Sequence, residues 1–208
     1  QGTLPGDSWL KDWNEDGVIN DQDNHPIASI GLPLFNYGLS LGASWRGIDL
    51  ALDFQGVHGV FVQYNELLVE PLPFGGQNTL AFFTDRWHPA DPNADYFHPA
   101  TEWIPGHFPV TGHNGHREGT NGVQDASYIR LKTLELGYTV PDRWISKVGV
   151  KNLRVYFSGY NLLTFTGLEY MDPERPGQKV NDDDPNGPVD LYNYPNNRTF
   201  TFGASIKF

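Results

Sequence analysis

Phe35-Asn36-Tyr37-Gly38-Leu39-Ser40-Leu41-Gly42-Ala43-Ser44-Trp45, followed by Arg46-Gly47 and then Ile48-Asp49-Leu50-Ala51-Leu52-Asp53-Phe54-Gln55, decides the fold. Successive side chains of a strand point to opposite faces. In the first run Phe35, Tyr37, Leu39, Leu41, Ala43 and Trp45 share one face, and the residues between them are polar or small. In the second run Ile48, Leu50, Leu52 and Phe54 alternate with Asp49, Ala51, Asp53 and Gln55. Two such runs joined by Arg46-Gly47 predict a hairpin with one apolar and one polar face. The same period returns three times downstream, over 127–139, 152–164 and 198–208. A parity break near Lys132-Thr133-Leu134 predicts a β-bulge in the third strand.

The connections alternate in length. Those at 46–47 and 140–151 are short, the latter with a helical turn expected at Trp144 to Val148. Those at 61–125 and 165–197 are long and rich in Pro, Gly, Asp and Asn, with a short helix expected around Leu80 to Trp87. A connection as long as 61–125 is usually functional or disordered. Strands of roughly ten residues in an up-and-down order, with short turns at one end and long loops at the other, fit a transmembrane β-barrel. A secreted β-sandwich also alternates, but its strands are usually shorter and its loops more modest. Five strands cannot close a barrel whose minimum is about 8, and bare edges are not tolerated in lipid. The fold expected is therefore all-β: the C-terminal strands of a larger barrel.

Bulk properties narrow the function classes. The 208 residues carry a net charge of −11, which disfavours nucleic acid as a partner. There is no Cys, hence no disulfide framework or thiolate metal site. Gly (23), Pro (16) and aromatic residues (13 Phe, 10 Tyr, 6 Trp) far outnumber the single Met, a composition that suits β structure with long loops. Mean hydropathy is −0.46, a value a barrel wall can hide behind because only alternate residues meet lipid. No apolar run is long enough for a transmembrane helix. The start at Gln1 reads as a processed chain or a piece of a longer one.

Residues 1–33 form a polar segment ahead of the strands, and residues 34–208 hold the strands and long loops. Within the first segment, Asp12-Trp13-Asn14-Glu15-Asp16-Gly17-Val18-Ile19-Asn20-Asp21-Gln22-Asp23 follows EF-hand loop spacing. Asp12, Asn14, Asp16, Asn20 and Asp23 supply side-chain oxygens, Val18 a carbonyl, Gly17 the sharp turn, and Ile19 an apolar pin to a core. Hard oxygens in this wrap predict a structural Ca²⁺, with Mg²⁺ the runner-up because it demands a stricter octahedron. Asp23 stands where Glu is usual, and its shorter arm weakens a bidentate grip. The alternative is an acidic Asn/Asp/Gly turn that solvates itself.

Other constellations carry less. His88, His98, His107, His113 and His116 are separated by Gly and Pro and lack zincin spacing, so they read as surface histidines rather than zinc ligands. Asp182-Asp183-Asp184 reads as a solvated loop tip. Trp87, Tyr96, Trp103, Tyr170 and Tyr192 read first as loop anchors, with sugar stacking the alternative role. Trp45, Tyr138 and Trp144 lie beside the short turns and suit an interfacial aromatic belt. No nucleophile elbow, P-loop or dinucleotide fingerprint is present, and no catalytic residue is expected.

Taken in order, Lys11-Asp12-Trp13-Asn14-Glu15-Asp16-Gly17-Val18-Ile19, Phe35-Asn36-Tyr37-Gly38-Leu39-Ser40-Leu41, Ser127-Tyr128-Ile129-Arg130-Leu131-Lys132 with Leu136-Gly137-Tyr138, Leu153-Arg154-Val155-Tyr156 with Gly159-Tyr160-Asn161-Leu162-Leu163-Thr164, and Arg198-Thr199-Phe200-Thr201-Phe202-Gly203 carry a resemblance that spans nearly the whole chain. The chain resembles the C-terminal part of SusC/RagA-type TonB-dependent outer-membrane transporters of Bacteroidetes. That resemblance implies a barrel of about 22 strands with an N-terminal plug. It implies a SusD-type surface lipoprotein as partner, TonB acting through the missing N-terminal part, and import of oligosaccharides or peptides across the bacterial outer membrane with the long loops extracellular. The competing reading is a secreted, calcium-stabilised β-rich glycan-binding module.

Overall fold

The alternating segments become five antiparallel strands in a computed structural model that describes residues 3–28, 32–64, 66–69, 79–111, 120–175 and 194–208. They are β1 (Phe35–Trp45), β2 (Ile48–His58), β7 (Tyr128–Thr139), β8 (Asn152–Thr166) and β9 (Thr199–Lys207), hydrogen-bonded in that order as a meander. β2 and β8 run a little further than their alternation announced. The intervening short strands are β3 (Phe61–Gln63), β4 (His88–Pro89), β5 (Trp103–Ile104) and β6 (Val123–Asp125).

Register places the apolar residues on one face. Leu39 sits opposite Phe54, Leu41 opposite Leu52 and Trp45 opposite Ile48. Leu50 then faces Leu136 and Leu52 faces Leu134. Leu136 faces Phe157 and Tyr138 faces Val155; Phe157 faces Phe202 and Leu153 faces Ile206. Tyr37, Leu50 and Phe200 belong to the same face by the same pairing. This face is open: Leu39 is 53% exposed, Phe200 60% and Phe202 80%. A contiguous apolar surface of this extent is not left against water by a soluble monomer. Against hydrocarbon it is the stable arrangement, provided each strand edge is paired.

The bulge falls where the parity broke. Between β2 and β7, Asp53 pairs with Thr133 but Phe54 pairs with Leu131, leaving Lys132 as the extra residue. The turn at 46–47 is tight because Arg46 (φ 50°) and Gly47 (φ 87°) are both left-handed, which matches the twist of the flanking strands. The connection from β7 to β8 contains α2 (Asp142–Ile145) and a 3₁₀ turn over Ser146–Val148, as expected.

The chain divides into two compact units, one holding the sheet and the other holding the described residues of 1–30 and 62–124. The second unit has its own core. Val62, Phe83 and Val110 are almost fully buried, with Leu4 and Leu68. The rings of Phe82, Phe83 and Phe108 pack tilted or edge-on, with centroids 4.5–5.3 Å apart. It also carries the short α1 (Glu66–Val69). The described part of 61–125 is thus folded rather than loose. The helix expected around Leu80 to Trp87 is reduced to one 3₁₀ turn, Ala81–Thr84. Beyond it the backbone pairs sideways instead of with the preceding turn: Trp87 N–H donates to Phe108 O (2.9 Å) and Phe108 N–H to Asp85 O (3.0 Å).

Substituting Arg for Leu50 or Phe202 in the full-length barrel should destabilise insertion by about 2–4 kcal/mol, as expected of a cation near the bilayer midplane. Equilibrium folding into phospholipid vesicles measures this. Arg at Thr201 or Asp53, on the polar face, should cost far less, and the reverse ranking would invert the face assignment.

Candidate functional site

The loop at 12–23 is wrapped by its own side chains. Asp12 Oδ1 accepts from Glu15 N–H (2.7 Å) and Asp12 Oδ2 from Gly17 N–H (2.8 Å). Asn14 Oδ1 accepts from Asp16 N–H (3.0 Å), and Asp16 Oδ1 from Val18 N–H (2.8 Å). Gly17 takes φ 82°, which supplies the sharp turn. Asn20 caps a 3₁₀ turn over Asp21–Asp23: its Oδ1 accepts from Gln22 N–H, while Asp23 Oδ2 accepts from Asn20 N–H (2.8 Å). Asn20 Nδ2 reaches back to Val18 O (3.2 Å). Asp23 Oδ1 closes the far side on Trp13 N–H (2.9 Å) and Asn14 N–H (3.4 Å).

Asp23 is therefore the buckle of the loop. It is 8% exposed. The Asn20 N–H holds its carboxyl below the usual carboxylate range, aided by Trp13 and Asn14 and opposed by burial. All six oxygen donors named from the spacing lie in this wrap. Among the described residues, however, no three His, Asp or Glu side chains converge as a metal cluster does. Ile19 does not pin the loop to a core; it is 51% exposed. Trp13 is held instead, stacked on His25 at 4.4 Å with Lys11 Nζ 3.7 Å over its ring.

The sheet unit carries two charge networks on its polar face, neither named from sequence. Arg130, 3% exposed, donates from Nε to Thr164 Oγ1 (2.8 Å), from Nη1 to Glu174 Oε2 (2.6 Å) and from Nη2 to Asp172 Oδ1 (2.7 Å). Lys132 Nζ also bonds Glu174 (2.9 Å). Asn196 joins from the far end of the same connection, its N–H to Asp172 Oδ2 (2.9 Å) and its Nδ2 to Glu174 Oε2 (2.6 Å). Both ends of the connection between β8 and β9 are thereby fastened to β7. Burial pushes the Asp172 carboxyl up, but the Arg130 guanidinium and the N–H groups of Asn196 and Glu174 outweigh it and hold it low. Nearer the short turns, Arg154 bridges Asp49 and Glu135.

The remaining constellations stay bland. His88 Nδ1 lies 2.9 Å from Pro89 O, and His98 Nδ1 accepts from Ala100 N–H (3.2 Å). His107 packs edge-on to Phe108. His113, His116, Asp182-Asp183-Asp184 and Tyr192 lie outside the described residues. Tyr96 and Trp103 pack edge to face at 5.5 Å, as loop anchors do. A Cβ on Gly6 would overlap Trp87, so Trp87 lies directly against that backbone.

Replacing Arg130 by Ala should loosen the connection, because it takes the cation from the buried Asp172 carboxylate; removing one partner of a buried ion pair costs roughly 3–5 kcal/mol. Limited proteolysis of the folded barrel should then cut between 167 and 198 much faster. The clamp should hold fully above the ordinary carboxylate range and weaken as pH falls through the lowered pKa of Asp172. Cleavage rates that ignore both changes would remove the clamp's role.

Comparison with known proteins agrees with this architecture. No protein-family model matches the chain. TonB-dependent receptor P3 of Formosa agariphila is 33% identical over 207 residues, covering 98% of this chain and 19% of the receptor. TonB-dependent receptor P26 of the same organism is 31% identical over 206 residues, covering 98% and 20%. The chain thus spans about a fifth of the curated relatives it matches. Among solved structures, the RagAB peptide importer in its open-open state superposes with TM-score 0.62 at 28% identity, over 85% of this chain and 17% of that one. The RagAB peptide transporter superposes with TM-score 0.59 at 28% identity, over 82% and 17%. Near-complete sequence coverage, the matching superposition and an open apolar face across five antiparallel strands make the chain similar to one section of the barrel wall of the TonB-dependent receptors and of RagAB.

Proposed function

We propose that this chain is the C-terminal wall and two of the outer loops of an importer that takes up oligosaccharides or peptides together with a SusD-type surface lipoprotein, energised by TonB through a part of the protein outside this chain. The observation that carries the reading is the similarity to TonB-dependent receptors over 98% of the chain. The solved relatives are described as a peptide importer, which favours a peptide or a similarly extended polymer. No catalytic role is assigned to any residue. The secreted glycan-binding module is disfavoured by the open apolar face, which a soluble module would have to cover.

We infer sidedness from the connections. Register sets Phe35 beside His58 and Tyr128 beside Thr166, so 1–33, 61–125 and 165–197 all join the sheet at one end. The short connections join it at the other. Long loops outside and short turns on the periplasmic side is the habit of outer-membrane barrels, and it puts the long connections where lipoprotein and nutrient arrive.

We assign the 12–23 loop a structural Ca²⁺ held by Asp12, Asn14, Asp16, the Val18 carbonyl and Asp23, with Asn20 direct or through water. The hard-oxygen donor set, the Gly17 turn and the self-wrapped backbone fit such an ion. The ion would supply positive charge to three carboxylates that otherwise repel one another. Mg²⁺ remains the second choice.

Titrating the chelated transporter with Ca²⁺ should slow amide exchange over 12–23, and Asp16→Ala should weaken binding by at least about tenfold, as expected when a charged ligand is lost. Metal–oxygen distances near 2.3–2.6 Å would identify Ca²⁺, and 2.0–2.1 Å would identify Mg²⁺. Exchange indifferent to millimolar Ca²⁺ would leave the loop a self-solvating turn. A transporter lacking residues 75–120 should still reach the outer membrane but fail to take up nutrient or to dock its lipoprotein. Normal uptake of every substrate by such cells would refute the importer-loop reading.

A further inference from the structure

We propose that the short-turn rim of the sheet, with Arg46, Arg143, Lys147 and Lys151 set beside Trp45 and Trp144, binds the phosphate headgroups of anionic phospholipid. The inference rests on the proposed sidedness, which gives this end the inner leaflet of the outer membrane.

Register gathers these residues at one end. Trp45 and Ile48 flank the first turn, and Ile48 pairs with Tyr138. Thr139 N–H donates to Gly47 O (2.7 Å), tying that turn to the start of the 140–151 connection. Lys151 N–H donates to Lys207 O (2.8 Å), tying the end of that connection to the end of β9. All four cations are exposed. None pairs with a side-chain carboxylate among the described residues; Lys151 Nζ donates only to Phe208 O (3.2 Å). The carboxylates nearby are few. Asp49 is taken by Arg154, and Asp142 is exposed at the start of α2. A cationic rim on a chain of net charge −11 is a local reversal of sign.

Two of the cations are coupled to aromatic rings. The Arg46 guanidinium lies 4.7 Å from the Trp45 ring centroid, and Arg143 5.6 Å from that of Trp144. Trp45 is 65% exposed, Trp144 60% and Val148 74%. The rim is continuous with the apolar face through the Trp45, Ile48 and Tyr138 pairings. Rings at headgroup depth with cations reaching past them match a phosphate layer above hydrocarbon. Arginine and lysine near an anionic surface each favour it roughly fivefold. Lys207 lies in register with the polar face, opposite Asn152, and is left out of the site.

The test uses the full-length transporter in nanodiscs of phosphatidylethanolamine alone, with phosphatidylglycerol, or with phosphatidylglycerol and lipid A together, and counts retained lipid by native mass spectrometry after mild delipidation. The variant R46Q/R143Q/K147Q/K151Q should retain at least roughly fivefold less phosphatidylglycerol, with phosphatidylethanolamine unchanged and K207Q behaving as wild type. The double variants R46Q/R143Q and K147Q/K151Q should each lose part of the retention, which keeps the test open should the quadruple variant fold poorly. Equal retention by all variants, or an equal loss in K207Q, overturns the site. Retention of lipid A in place of phosphatidylglycerol, abolished by the same four substitutions, also overturns it. That outcome would trace the failure to the assigned sidedness rather than to the cationic rim.

Discussion

Inside hydrocarbon a peptide N–H or C=O has no water to turn to, and a group left unpaired there costs several kcal/mol. That one constraint organises the sheet. β2 and β7 are paired along nearly their whole length on both sides, and β8 is paired with β7 up to Thr166 and with β9 from Asn152 to Tyr160. Apart from the bulge at Lys132 and the left-handed Asn161 (φ 53°) on the neighbouring strand, irregular backbone is kept to the ends, where the Arg46-Gly47 turn and α2 with its 3₁₀ extension reverse the chain. The outer edges of β1 and β9 have no partner within the described sheet. Further strands must continue the wall on both sides, in keeping with a chain that covers about a fifth of its relatives. Outside hydrocarbon the usual rule returns, and the 62–124 segment buries Val62, Phe83 and Val110 in a core of its own.

The bulge at Lys132 reconciles two demands on β7. Before it, Tyr128 and Arg130 share the polar face with Val57 and Gln55; after it, Thr133, Glu135 and Gly137 share that face with Asp53, Ala51 and Asp49. Parity thus switches from even to odd. Were Lys132 paired with Asp53 in a ladder without a bulge, Thr133 and Glu135 would turn into the apolar face and Leu134 and Leu136 out of it, at a cost no single contact offsets. With it, the upper part of β7 presents Arg130 and Lys132 to the Asp172–Glu174 segment. Burying an arginine is tolerable only because Thr164, Asp172 and Glu174 occupy its donors.

Legibility from sequence tracked the range of the interaction. Period-two alternation is local, so β1 was readable to the residue, and the bulge to within one. The EF-hand spacing is also local, and its side chains do wrap one loop. What could not be read was long-range. Arg130 and Asp172 are 42 residues apart, and Arg154 and Asp49 are 105 apart. The signal available was a pair of cations, Arg130 and Lys132, close together in β7, whose one carboxylate is Glu135. The helix expected near Leu80 failed for the same reason, since Phe108, far along the chain, captured its backbone.

Alternation selects a face but cannot select a register, because a slip of two residues keeps every apolar side chain in lipid. Something specific must forbid that slip, and the structure has it on both faces. Gly56 lies under the ring of Tyr37, so closely that a Cβ there would overlap it, and Tyr37 Oη passes over β2 to donate to Tyr128 O on β7 (3.0 Å). Gly203 lies in the same way under Tyr156. Gly137 leaves the room in which Arg154 meets Asp49. Moving β1 by two positions against β2 would set Tyr37 over Phe54 or His58 instead of a glycine. Moving β2 against β7 and β8 would part Asp49 from Arg154 across two strands. The apolar residues thus hold the sheet in the membrane without discriminating among its shifted states. Three glycines, two tyrosines and one arginine do that discriminating.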